Sequence, residues 1–99
     1  MMRRRAPRPA ASAIRAALER AAPKTPLAAT QAAWTEAMGE RIAAVARPVS
    51  ERGGEVTVSC SDSVWAQELD LMQEELLKRL RDRLGERTPR SLRFRAGEK

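Results

Sequence analysis

Residues 55–95 change hydrophobic period twice, and each change fixes the kind of element that can form. Val56, Val58 and Cys60 alternate with Glu55, Thr57 and Ser59, the period of a strand that buries one face. From Ser63 to Leu84 the apolar residues Trp65, Leu69, Met72, Leu76 and Leu80 recur at helical spacing, and Gly85 follows as a left-handed C-cap. Ser91 to Arg95 then alternates again, with Leu92 and Phe94 on one side and Arg93 and Arg95 on the other. A strand that alternates has one apolar face, so a single helical layer must cover both strands. Joined across the helix, the two strands pair in parallel through a right-handed crossover.

The first half of the chain supplies the remaining elements. Ser12 to Ala22 places Ile14 and Leu18 on one helical face and is stopped by Pro23. Thr25-Pro26 is an N-cap followed by proline at the first helical position, where a missing N–H costs nothing. The helix that starts there carries Leu27, Trp34, Met38, Ile42 and Val45, with Gly39 marking a close approach or a break. Pro48 ends that pattern, and Pro48-Val49-Ser50 reads as a short edge strand leading into a turn at Arg52-Gly53-Gly54. The expected fold class is therefore α+β, in the order helix, helix, strand, strand, helix, strand, with a three-stranded sheet and helices packed on one face. Residues 1–10 are expected to form a disordered basic arm, 11–96 the domain and 97–99 a short tail. One core is all that a chain of 99 residues can bury.

The inventory of reactive side chains excludes most chemistry. With no histidine and Cys60 as the sole cysteine, neither the usual zinc sites nor an imidazole-activated nucleophile can be assembled. Cys60 alternates with the valines and is expected to be an inert core thiol. Glu68, Asp70, Glu74 and Glu75 share a helix but not a face, and basic neighbours pair with them as Glu74–Lys78 and Glu75–Arg79. No catalytic residue, metal site or cofactor is expected, and the chain is not read as an enzyme. No apolar run reaches the roughly 20 residues that span a bilayer, and a lone cysteine fits a reducing compartment, so the expected location is the cytoplasm.

Charge is the remaining signal. The formal net charge is +6, and residues 1–24 alone, with seven bases against one acid, account for that whole excess. Arg3, Arg4, Arg5 and Arg8 are interrupted by Pro7 and Pro9, so the arm serves either as a polyanion-binding tether or as a solubilising tail. In the rest of the chain, Arg93 and Arg95 share the outer face of the last strand, while Lys78 and Arg81, with Arg79 and Arg83, line the solvent side of the long helix. Together they suit a nucleic-acid phosphate backbone. That surface has no aromatic residues on which bases could stack, which argues against sequence-specific reading of single strands. Trp65 is either a core residue or, at the first turn of its helix, an anchor for a partner protein.

Taken in order, Trp34-Thr-Glu-Ala-Met-Gly39, Ile42-Ala43, Pro48-Val49, Val56-Thr-Val58, Ser63-Val-Trp65-Ala-Gln-Glu-Leu69 and Leu92-Arg-Phe94-Arg95 resemble the bacterial DciA family of replicative-helicase operators, over about residues 12–96. The resemblance implies a KH-like domain that binds single-stranded and duplex DNA and a DnaB-type replicative helicase. It also implies assistance in placing that helicase on single-stranded DNA without ATP hydrolysis, and the sequence has no Walker-type glycine loop. Trp65 matches the family's tryptophan at the start of the long helix. No Gly-x-x-Gly spacing occurs, so the RNA clamp of other KH domains is not implied. The competing expectations are a KH-like RNA-binding protein of ribosome or RNA metabolism and a protein-interaction module. Neither a membrane nor a small-molecule substrate is expected as a partner.

Overall fold

The structure is a computed structural model and describes residues 25–97; the basic arm, the helix expected over Ser12–Ala22 and the last two residues lie outside the described residues. The element order is α1 (Pro26–Met38), α2 (Glu40–Val45), β1 (Ala46–Arg52), β2 (Glu55–Cys60), α3 (Ser63–Leu71), α4 (Gln73–Leu84), a 3-10 turn (Gly85–Arg87) and β3 (Ser91–Ala96). The sheet runs β1-β2-β3. Strand β1 is antiparallel to β2, and β3 is parallel to β2, as the crossover requires.

Local chemistry sets the starts of the elements. The Thr25 hydroxyl accepts from the Ala28 N–H at 3.0 Å, with Pro26 behind it, and the Asp62 carboxylate accepts from the Trp65 N–H at 2.9 Å to cap α3. The hairpin between β1 and β2 turns on Gly53 (φ 60°) and Gly54 (φ 90°), the paired positive φ values that match the twist of the flanking strands. That two-residue turn pairs Arg52 with Glu55 and sets the register back to a bulge at Val49. Strand β1 is consequently longer than the Pro48–Ser50 segment expected from sequence.

Both long helical stripes are broken. Gly39 takes φ 90° and ψ 160°, a backbone region essentially confined to glycine, and divides the second expected helix into α1 and α2. The continuous helix expected over Ser63–Leu84 is instead two helices meeting at Met72, whose N–H bonds to Leu69 O at 3.0 Å in a tightened turn. The cause is tertiary. An unbroken helix of that length would run about 33 Å, past the end of six-residue strands of roughly 20 Å. Breaking it lets α3 pack on β3 while α4 packs on α1. Gln73, at the corner, donates to Asp70 Oδ1 at 3.2 Å and accepts from the Leu92 N–H at 2.8 Å, tying the break to the start of β3.

The core lies between the helices and one face of the sheet. It contains Trp34, Met38, Ala46, Val56, Val58, Cys60, Leu69, Leu76, Leu80 and Leu92, and Trp65, Met72 and Phe94 are half-buried against it. Leu69, Leu76 and Leu80 are completely enclosed, each contributing about 1.5–3 kcal/mol by burial. Trp34 closes the β1 side, with its indole N–H donating to Ala46 O at 2.9 Å. Burial holds the Cys60 thiol above its usual pKa, with the Asp62 carboxylate adding to the effect, so it stays a neutral core group.

Candidate nucleic-acid interface

With every described long helix on one side, the other face of the sheet is left to polar residues. Register places three rows across it: Arg47–Ser59–Arg95, Ser50–Thr57–Arg93 and Arg52–Glu55–Ser91. Four arginines therefore share this surface with one carboxylate, Glu55, which receives the Ser91 hydroxyl at 3.4 Å. Arg47, Arg52, Arg93 and Arg95 are all exposed, and none forms an ion pair with a described residue. Ser59 is held inside the first row by donating its hydroxyl to Gly97 O at 2.7 Å.

Arg47 and Arg95 stand in one row on either side of Ser59, two strand spacings or roughly 10 Å apart, Arg93 lies two residues from Arg95 along β3, and Arg52 stands at the hairpin end, so the sheet fixes the bases of four spaced guanidinium groups. No aromatic ring lies on this face, so it offers charge and hydrogen-bond donors but no platform on which bases could stack. Arg93 and Arg95 stand where their alternation predicts. Arg47 and Arg52 are additions that sequence reading missed. For Arg52 the signal is the Gly53-Gly54 turn, which sets it opposite Glu55; counting on without interruption would put Arg47 opposite Cys60 on the core face, and it is the bulge at Val49 that brings Arg47 opposite Ser59.

Lys78 and Arg81 occupy a different surface. Leu76 and Leu80 point α4 into the core, and at 100° per residue Lys78 lies on the far side of the helix, with Arg81 well round from the core. The helical layer separates them from the open sheet face, so the strand and helix bases do not form the single surface that the sequence suggested. Lys78 also does not close onto Glu74, whereas Arg79 pairs with Glu75 at 2.8 Å. Arg79 additionally donates to Met38 O at 3.3 Å, and Arg83 reaches Glu36 at 2.7 Å. These two arginines link α4 to α1 and are less available to a ligand than the sequence implies. Arg3, Arg4, Arg5 and Arg8 lie outside the described residues.

Trp65 is half-buried against the core, and the large apolar side chains of α3 that stand in solvent are Val64 (66% exposed) and Leu71 (83% exposed), on another side of the helix. Seven residues apart, they share the side of α3 that faces away from the sheet. No group of three or more metal-ligating side chains occurs among the described residues, and none of their helices is long and apolar enough to cross a membrane.

Comparison with known proteins gives two findings. A family model described as "Dna[CI] antecedent, DciA" matches residues 9–94. A UPF0232 protein of Rhodococcus jostii (strain RHA1) is 36% identical over 61 residues, which cover 62% of this chain and 32% of that protein. The matched stretch is thus about a third of that relative's length.

Proposed function

This chain belongs to the DciA family of replication factors, and from that premise we propose that it is a non-catalytic factor that binds DNA together with a DnaB-type replicative helicase and assists the helicase onto single-stranded DNA. The observation that carries the DNA half is the open sheet face, where Arg47, Arg52, Arg93 and Arg95 stand without ion-pair partners among the described residues. Binding there is electrostatic and insensitive to sequence, as suits a factor that places a ring on whatever strand is exposed. The basic arm at Arg3, Arg4, Arg5 and Arg8 adds a second, tethered contact, and Lys78 and Arg81 provide a weaker one on the opposite side. Trp65, half-buried in the first turn of α3, is the proposed anchor for the helicase. The factor works in the cytoplasm, at the nucleoid.

The test is co-assembly. A purified DnaB-type hexamer and a fluorescent single-stranded oligonucleotide are mixed with and without the protein, and helicase-bound DNA is followed by sedimentation. The protein should increase the helicase-bound fraction without consuming ATP itself. An unchanged fraction, with no complex between protein and helicase, contradicts the helicase half. Preference for structured RNA over single-stranded DNA of equal length contradicts the DNA half and favours a role in RNA metabolism.

A further inference from the structure

The two edges of the sheet are treated differently. On β1 the outward carbonyls of Ala46 and Pro48 accept from Trp34 and from Gln31 (2.9 and 3.1 Å), Pro48 has no N–H to offer, and the bulge at Val49 bends the strand. These are the devices by which an edge is closed to further pairing. Strand β3 has almost none of them. The N–H groups of Ser91 and Gly97 reach Gly54 O and Cys60 O (3.4 and 2.9 Å), so the odd-numbered residues direct their backbone toward β2. Leu92, Phe94 and Ala96 direct theirs outward. Gln73 takes the Leu92 N–H. The Leu92 carbonyl, both polar groups of Phe94 and the Ala96 N–H have no partner among the described residues.

Beside this edge lies a groove of about 350 Å³ between β3 and α3, lined by Ala66, Gln67, Asp70, Leu92 and Phe94 among others. We propose that the open edge of β3 is a docking site for an extended segment of a partner protein, which adds to the sheet as a fourth strand. Its side chains should alternate between acidic residues beside Arg93 and Arg95 and apolar residues over Phe94 and Ala66. Backbone pairing supplies affinity in such complexes, and alternate side chains supply specificity.

Charge selects the occupant. If a second copy paired antiparallel through Phe94, Arg93 and Arg95 would face the partner's like-charged arginines directly, which is unfavourable. An acidic segment reverses that sign. Asp70, on the α3 side of the groove, disfavours acidic residues on the inner face and leaves them the outer one, beside Arg93 and Arg95. Docking of this kind is independent of whether the helicase is the partner, and it can be measured without the helicase.

The experiment uses the full chain and a fluorescent ten-residue peptide of alternating glutamate and valine, with anisotropy and amide hydrogen exchange as readouts. The peptide should bind saturably, and exchange at Phe94 and Ala96 should slow by tenfold or more. Ala96→Pro removes an N–H that the sheet does not use, at an edge position where proline is tolerated. It should weaken peptide binding at least tenfold while the melting temperature holds. Arg95→Glu, a change at an exposed position, should transfer preference to a lysine–valine peptide and so tests the idea even if the proline variant fails to fold. Four results would overturn it: no saturable binding of the glutamate–valine peptide, equal binding of both peptides by the unaltered chain, protection of the Phe94 and Ala96 amides by a single-stranded oligonucleotide in place of the peptide, or a dimer of the free chain that Ala96→Pro dissolves.

Discussion

Thr30 is fully buried on α1, and its hydroxyl has no hydrogen-bond partner among the described residues. An unsatisfied buried polar group costs about 1–3 kcal/mol, whereas an apolar group of the same shape costs nothing of the kind. Thr30→Val should therefore stabilise the domain by about 1 kcal/mol and raise the melting temperature by about 4–8 °C in a thermal melt. Trp34 is the opposite case, since its N–H satisfies the buried carbonyl of Ala46. Trp34→Phe keeps an aromatic ring but leaves that carbonyl unpaired, and urea denaturation should register a loss of about 1–3 kcal/mol. Cys60 gives a pH signature. Burial raises its folded pKa above the unfolded value, so the folded chain retains the proton longer as pH rises. Its contribution to stability is intact below the ordinary thiol pKa and is lost as pH climbs from there through the raised folded value. In the native state near neutral pH, a thiol reagent should modify Cys60 far more slowly than in urea.

Which helices and strands form was largely legible in the residues, and where the helices break was not. The alternation of Val56, Val58 and Cys60 and of Leu92 and Phe94, together with the Thr25-Pro26 start of α1, identifies elements that the structure contains. Those signals are local, because a strand's period and a capping oxygen act within a few residues. The break at Met72 has no local signal, as neither glycine nor proline is present there and the apolar stripe runs on through Leu76. It follows from where β3 and α1 lie, which are contacts distant in sequence. Gly39 is intermediate: the residue hints at a break, and its φ of 90° explains it. A Cβ at Gly39 would meet no atom within 4 Å, so the expected cost of Gly39→Ala is backbone strain alone, about 1–3 kcal/mol by thermal melt. By contrast, the Arg83–Glu36 link between α4 and α1 is exposed on both sides, and Arg83→Ala should change stability by less than about 1 kcal/mol.

At the scale of the molecule, the described domain is a two-layer sandwich with different chemistry on each side. Bases distributed along the sequence separate into an open sheet face (Arg47, Arg52, Arg93 and Arg95), a helical back (Lys78 and Arg81) and links between helices (Arg79 and Arg83). Half of the sheet face was legible from the alternation in β3; of the other half, the Gly53-Gly54 turn encodes the place of Arg52, while that of Arg47 depends on the bulge at Val49, which no local sequence signal marks. The domain's own charge is balanced, since residues 1–24 carry as much excess as the whole chain, so affinity for a polyanion depends on where its arginines stand and on the arm. The central claim is that the sheet face holds the phosphate backbone. It is tested most directly by measuring affinity for single-stranded DNA against salt concentration, for the full chain and for a variant carrying Arg47→Ala, Arg93→Ala and Arg95→Ala. Each phosphate contact on a single strand contributes about 0.7 to the slope of log affinity against log salt, so losing three contacts should flatten the slope by about 2. A variant that folds as before and keeps the slope of the unaltered chain would contradict the account and move the contacts to the arm or the helical back.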